Sequence, residues 1–165
     1  YRDLLKPYAI KTGDKFLDAA FYAALVNLDY TYQPPAWLEG IHEWNSYYCN
    51  NYQISAAIDL GMLTQARQAL LFFGLAPGGP SAVAYASGPS TEAFEDGLPY
   101  YIVQLYRYWQ ASGDKDALDQ LWTPTRDNLE KMLKKRDPEG NMLLNWHQGC
   151  NAFLYQADQI GRAHV

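Results

Sequence analysis

Acidic side chains gather where a proline- and glycine-rich stretch gives way to an apolar helical pattern. Glu92, Glu95 and Asp96 follow the stretch that opens with Pro77-Gly78-Gly79-Pro80. Neighbouring carboxyl groups can act as general acid and general base. Carboxylates in a first helical turn also stabilise the helix macrodipole, and for Glu92 this capping interpretation is slightly preferred. Gly97-Leu98-Pro99 indicates a shaped loop, which slightly favours a catalytic role for Glu95 or Asp96.

Aromatic and amide side chains supply a second set of candidates. The chain has 14 Tyr, 5 Trp and 6 Phe residues, and rings that carry a polar atom suit surfaces that are half apolar and half wet. The candidate binding residues are Trp44, Asn45, Tyr48, Asn51, Trp146, His147 and Asn151. The alternative roles are loop packing for the tryptophans, helix capping for Asn51 and Asn151, and an ordinary polar loop position for the histidine.

Composition limits the classes of protein to consider. The chain has 165 residues, of which 48% are hydrophobic and 19% charged, so it has material for one domain with a core. A net charge of −5 argues against a nucleic-acid partner. There is no apolar run of about 20 residues, so we expect no membrane partner. Two cysteines without metal-ligand spacing predict no metal and no cofactor.

Helical periodicity dominates the elements that must position these residues. No run of alternating strand residues is convincing, and the predicted class is all-α. Pro124 predicts a break before a last helix, with Thr123 as its cap. Helices are predicted over 14–30, 47–60, 63–73, 92–111, 116–122 and 124–135, and long loops over 33–46, 76–91 and 137–148.

A repeat of about 50 residues underlies this order. Gly13, Gly61 and Gly113 each form a turn directly before a helix, at spacings of 48 and 52 residues. Cys49-Asn50 and Cys150-Asn151, each preceded by a tryptophan, lie 101 residues apart. Each unit is therefore predicted to consist of a helix, a long loop, a second helix and a tight turn.

The alternation of tight and long connections predicts how the units stack. All long loops of stacked hairpins emerge at the same end. The second helices, such as 47–60, are poor in charge and would form an inner wall, whereas the charge-rich first helices would form an outer wall. The loops, with their aromatic and acidic residues, would then converge over the mouth of a ring.

Several stretches together resemble a known family. One runs from Trp44-Asn45 through Asn50-Asn51-Tyr52 to Asp59-Leu60-Gly61, the next from 106–109 into Ser112-Gly113-Asp114, and the last is Arg136-Asp137-Pro138-Glu139-Gly140. In this pattern the chain resembles the six-hairpin glycosidases, the (α/α)6-toroid enzymes that include α-L-rhamnosidases, trehalases, glucoamylases and debranching α-glucosidases.

The resemblance implies an incomplete toroid. About three hairpins would fill half of a six-hairpin ring, so residues 1–159 would be a partial domain that lacks its C-terminal half and is inactive alone. The last six residues, 160–165, back-translate into a common sequencing-adapter sequence, and we expect them to be a non-native tail.

The resemblance also implies a chemistry. A glycoside hydrolase of this family would hydrolyse an O-glycosidic bond of an oligosaccharide with two carboxyl groups across the scissile bond. Asp96 and Glu95 are the candidates for that pair. Aromatic rings cover the apolar faces of sugars, and polar side chains bind the hydroxyl groups at their edges. The residues expected to bind substrate in this way are Trp44, Asn45, Tyr48, Asn51, Glu92, Trp146, His147 and Asn151.

Two other classes stay open at this point. A non-catalytic helical repeat scaffold would bind protein or glycan through a continuous concave face of successive helices. A toroid polysaccharide lyase would use a tyrosine and a histidine as base and acid, for which Tyr47, Tyr48, His42 and His147 are available; a sugar phosphorylase is a further variant.

Overall fold

The computed structural model of the chain describes residues 5–38, 44–85, 88–93, 97–137 and 140, with the backbone alone at 44–46, 48, 49, 81–85, 88–93, 135 and 136. Helices dominate this part of the chain, which confirms the all-α class. They are α1 (Lys15–Tyr30), α2 (Tyr47–Asp59), α3 (Leu63–Leu75), α4 (Gly97–Ser112) and α5 (Lys115–Arg136). The strands are β1 (Tyr32–Gln33), β2 (Ala36–Trp37), β3 (Trp44–Ser46), β4 (Ala82–Tyr85) and β5 (Gly88–Ala93).

The three predicted glycine turns are confirmed. Gly13, Gly61 and Gly113 have φ values of 90°, 72° and 65°, in the left-handed region that glycine adopts without a steric cost. A helix begins two residues after each of them. The residue between turn and helix is the N-cap, and the carboxylates of Asp14 and Asp114 accept hydrogen bonds from backbone N–H groups of the helices that follow.

Tight and long connections alternate along the described helices, as the repeat predicted. Short turns join α2 to α3 and α4 to α5, while longer segments join α1 to α2 and α3 to α4. The two helices that follow long segments, α2 and α4, pack against each other, and so do α3 and α5. Asp59 and Arg107 are the only charged residues within α2 and α4, so these helices bury large parts of their surfaces at little electrostatic cost.

Aromatic packing joins α2, α3 and α4. The ring of Tyr47 meets those of Phe73 and Tyr101 edge-on, with centroids 5.2 Å away in both cases. The Tyr101 hydroxyl donates a hydrogen bond to the carbonyl oxygen of Leu70 at 2.9 Å. This approach depends on Gly74, where a Cβ atom would lie 2.0 Å from Tyr101 Oη. The α3–α4 contact is therefore built around the missing side chain of one helical glycine.

The predicted break before Pro124 is wrong, because α5 runs without interruption from Lys115 to Arg136 with that proline inside it. A proline in a helix interior removes one hydrogen bond and costs about 3 kcal/mol. The buried residues Ala117, Leu121 and Thr125 are spaced four apart and lie on both sides of Pro124. Only a continuous helix keeps them on one face, so packing of that face outweighs the local preference.

The long loop predicted over 76–91 contains two strands that the sequence did not predict. A 3-10 turn at Gly79–Ser81 leads into β4 and β5, which join β3 in a three-stranded antiparallel sheet. Helix α4 consequently begins at Gly97 and not near residue 92, and Gly97-Leu98-Pro99, which was predicted as a shaped loop, forms its first turn. Strand pairing between β3 and β4 joins residues about 40 apart in sequence, and such non-local pairing leaves little mark on local periodicity.

Candidate functional site

The three-stranded sheet brings two of the long connections together. β3 belongs to the connection between α1 and α2, whereas β4 and β5 belong to the connection between α3 and α4. Trp44 pairs with Tyr85 and Asn45 with Ala84 across the β3–β4 ladder. Neighbouring strands lie about 4.8 Å apart, so β3 and β5 are about 10 Å apart across β4. β3 leads directly into α2, and the sheet therefore lies at the N-terminal end of that helix.

Four of the predicted site residues lie on or beside this sheet. Trp44 and Asn45 are in β3, Glu92 is in β5, and Tyr48 is in the first turn of α2 directly after β3. The position of Glu92 shows that its capping interpretation is wrong, since the residue belongs to a strand and lies five positions before α4. The sheet thus joins candidates that are separated by nearly 50 residues in sequence.

The remaining candidates fall elsewhere. Asn51 is buried within α2, with only 4% of its surface exposed. Glu95 and Asp96, between β5 and α4 in sequence, lie outside the described residues, as do Trp146, His147 and Asn151 and the predicted tail 160–165. Their roles stay predictions.

A buried clamp holds the first long connection against α2. Trp37 is fully buried, and its indole N–H donates a hydrogen bond to the carbonyl oxygen of Leu28 at 2.8 Å. The amide of Asn50 accepts from the backbone N–H of Trp37 at 2.8 Å and donates to its carbonyl oxygen at 2.9 Å. Both residues are structural. The sequence shows a tryptophan and an asparagine 13 positions apart, but nothing in it indicates that they pair.

Polar contacts fix α2 relative to α4. The amide nitrogen of Gln104 donates to the Ser55 hydroxyl, and more weakly to the Asn51 carbonyl oxygen at 3.4 Å. At the far end of the pair, Arg107 and Asp59 form an ion pair of 2.6 Å. A buried amide of this kind specifies one register between two helices. Gln104 could not be identified from the sequence, because a single glutamine inside an aromatic helix forms no recognisable pattern.

The most strongly perturbed carboxyl group among the described residues is structural. Asp114 accepts hydrogen bonds from Ala117 N at 2.9 Å, Arg67 Nε at 2.7 Å and Tyr108 Oη at 2.8 Å. The Ala117 backbone N–H, followed by Arg67 and Tyr108, lowers the pKa of Asp114 to about 2. This carboxylate lies beyond the C-terminal end of the 16-residue helix α4, which is about 24 Å from the N-terminal end of that helix.

Tyr47 occupies the junction of sheet and helix, but it is not placed to react. It is the first residue of α2, fully buried, and burial raises the pKa of its hydroxyl well above the ordinary value. The hydroxyl has no hydrogen-bond partner among the described residues. A neutral phenol enclosed by Phe73 and Tyr101 cannot reach a substrate as a base. Tyr47 is therefore excluded as the catalytic tyrosine of a lyase.

Within the described ranges, no group of three or more His, Cys, Asp or Glu side chains is placed to hold a metal ion. In the same part of the chain, no helix is long and apolar enough to cross a membrane. Comparison of the chain with protein-family models, curated proteins and solved structures gave no match.

Proposed function

We propose that this chain is the part of a carbohydrate-active (α/α)6 toroid that carries three of its hairpins, and that the complete domain is a glycoside hydrolase. The observation that carries this proposal is the sheet. Two long connections, which carry Trp44, Asn45 and Glu92, meet at the N-terminal end of α2. The alternation of tight and long connections, with α2 packed on α4 and α3 packed on α5, also supports it.

The proposed chemistry uses two carboxyl groups at the loop end of the ring. Asp96 and Glu95, which precede α4 in sequence, are the acid/base candidates, and a second carboxylate from the hairpins that complete the ring is compatible with the proposal. Trp44 would stack on the apolar face of a sugar, while Asn45 and Glu92 would bind hydroxyl groups. Helix N-termini at this end add partial positive charge, which favours ionised carboxylates there.

Sugar binding is the first test, and it uses the longest reading frame that contains this chain. Intrinsic tryptophan fluorescence is titrated with mono- and oligosaccharides of varied sugar and linkage. We expect a saturable change with at least one oligosaccharide, and we expect Trp44→Phe to weaken the binding. Trp122→Phe is the matched control, because Trp122 is 61% exposed on α5, which belongs to neither of the connections that form the sheet. No response to any glycan, or equal effects of the two variants, would contradict the proposal.

Hydrolysis is the second test. A panel of nitrophenyl glycosides and oligosaccharides is assayed with the same protein, with Asp96→Asn and with Glu95→Gln. Loss of a general acid or base lowers the rate by about 10²–10⁴-fold, so one of the two variants should show a loss of that size in kcat with binding retained. A protein that binds glycans but hydrolyses none would favour the non-catalytic scaffold instead.

A further inference from the structure

Helix α4 carries an apolar stripe on the side that faces away from α2. Ile102, Tyr106 and Trp109 are spaced four and three residues apart, which places them on one face of the helix. Tyr106 is 55% exposed, Trp109 is 41% exposed and Ile102 is half-buried. The ring centroids of Tyr106 and Trp109 lie 6.2 Å apart. Grouped apolar side chains of this kind mark a surface that binds a partner.

Helix α2 occupies the opposite side of α4. Gln104 donates a hydrogen bond to Ser55 there, and Arg107 forms its ion pair with Asp59. Each residue of an α-helix turns by about 100°, so Gln104 and Arg107 lie about 140–200° around the helix from Ile102. A helix packed on the stripe would therefore repeat the α2–α4 contact on the other side of α4.

The repeat in the sequence indicates which helix this is. Helices α2 and α4 begin at Tyr47 and Gly97, 50 residues apart. Cys49-Asn50, in the first turn of α2, recurs as Cys150-Asn151 after 101 residues, or about two units. The third helix of this series is therefore predicted over 148–159. That segment lies outside the described residues, and it belongs to this same chain.

The sequence of the segment 148–159 suits an apolar partner. Asp158 is its only charged residue. The one charged residue of α4, Arg107, is already paired with Asp59 of α2. The two surfaces can therefore meet with little electrostatic cost. Apolar residues of the segment follow the spacing of one helical face, and they are Cys150, Phe153, Leu154 and Ala157.

The connection before this segment is long enough to reach the stripe. Helices α4 and α5 are joined by the Gly113 turn and pack against each other, so α5 returns toward the end where α4 begins. Residues 137–147 separate the end of α5 from the segment, and when extended they span up to about 36 Å. Packed helix axes lie only about 8–10 Å apart, so the segment can reach α4.

We propose that residues 148–159 form a helix that packs on the stripe Ile102–Tyr106–Trp109, as the third helix in the series of α2 and α4. The occupant is a segment of the same chain and not a second copy, because the repeat places a helix of the right period and low charge directly after α5. The inference rests on the hairpin repeat of the proposed toroid, but not on its glycosidase chemistry.

Cross-linking within the full 165-residue chain tests this contact. In a Cys49→Ser background, Cys150 is the remaining natural thiol, and Ile102→Cys adds a second thiol on the stripe. Phe16→Cys in the same background is the control, because Phe16 is 87% exposed on α1, which precedes α2 in the series. With a short bismaleimide and dilute protein, the Ile102→Cys chain should form its intramolecular cross-link at least about tenfold faster, since the thiols lie on packed helices. Rates no faster than the control, or cross-links that join two chains, would overturn the proposal.

Charged substitutions then test whether the stripe is the surface involved. Tyr106 and Val103 are matched at 55% and 54% exposure on α4, but Val103 lies off the stripe. Burying an unpaired charge is costly, so Tyr106→Asp should slow the Ile102→Cys cross-link at least about fivefold, whereas Val103→Asp should leave it unchanged. Equal effects of the two substitutions would overturn the assignment of the stripe.

Two controls keep these outcomes interpretable. Circular dichroism and urea unfolding show whether each variant is folded. If Ile102→Cys is not, Tyr106→Cys supplies the thiol on the stripe and Trp109→Asp supplies the charge. No sugar takes part in the cross-linking, so a negative result would overturn this contact and leave the glycan-binding and hydrolysis tests unaffected.

Discussion

Replacing Gly74 by alanine tests the contact between α3 and α4 directly. The new Cβ atom would lie 2.0 Å from Tyr101 Oη, 2.9 Å from Tyr101 Cζ and 2.5 Å from Leu121 Cδ2. The leucine methyl can move, but the tyrosine ring is fully buried and held by its hydrogen bond to Leu70. The ring must therefore shift by more than 1 Å, and its hydroxyl must leave the Leu70 carbonyl oxygen.

The expected cost follows from three effects. Overfilling a packed core costs about 1–3 kcal/mol, and the loss of the hydrogen bond adds about 1 kcal/mol. Alanine recovers about 1 kcal/mol through its higher helix propensity. The net loss in the free energy of unfolding is about 2 kcal/mol, which corresponds to a Tm lower by about 4–8 °C for a chain of this size.

A double-mutant cycle with Tyr101→Phe assigns the cause. Phenylalanine lacks the oxygen nearest to the new Cβ atom, so Gly74→Ala should cost at least about 1 kcal/mol less in the Tyr101→Phe background. The assay is urea unfolding followed by circular dichroism, with all four proteins at the same concentration. Equal costs in the two backgrounds, or a Gly74→Ala protein as stable as the original, would refute the packing described for Gly74.

Three further predictions concern stability. The folded-state pKa of Asp114 is about 2, below its ordinary value of 3.8, so its contribution to folding stability is present above about pH 4 and lost between about pH 4 and 2. Asp114→Asn should therefore lower the free energy of unfolding by about 1–2 kcal/mol at pH 7 and reduce the loss of stability at acid pH in a series of urea unfolding curves. An unchanged loss of stability at acid pH would exclude this role. Asn50→Ala leaves both backbone groups of Trp37 without this partner and should cost about 2–4 kcal/mol in the same unfolding assay, and a loss below 1 kcal/mol would argue against the clamp. Gly113→Ala and Gly61→Ala have open space around the new Cβ atom, so each should cost only the backbone strain of about 1 kcal/mol, and Asn in place of Ala should recover part of that loss.

The predicted helices match the structure where a local signal defines their ends. Gly61 and Gly113 mark two helix starts because their positive φ values favour glycine. A single glycine in the sequence is therefore enough to indicate the turn. The predicted helix over 47–60 is observed as Tyr47–Asp59. The low charge of α2 and α4 also predicted that these helices bury more of their surface than α5 does, because a charged side chain is rarely buried without a partner.

The sequence predicted which residues could belong to the candidate site, but not which of them lie close together. Trp44 and Asn45 were predicted in a long connection and Glu92 at the start of a helix, but the ladder that joins their segments depends on backbone hydrogen bonds between distant residues. The partners of Gln104 and Asn50 were not identified, since each side chain pairs with a residue that is close only in the folded chain.

The amino-acid sequence by itself determined the helical class, the glycine turns and the alternation of tight and long connections, because periodicity, backbone freedom and charge act over a few neighbouring residues. Only the tertiary structure decided that α5 continues through Pro124 and that the connection before α4 pairs with β3. In both cases the free energy comes from contacts between segments far apart in the chain, and such contacts can outweigh what the local sequence prefers.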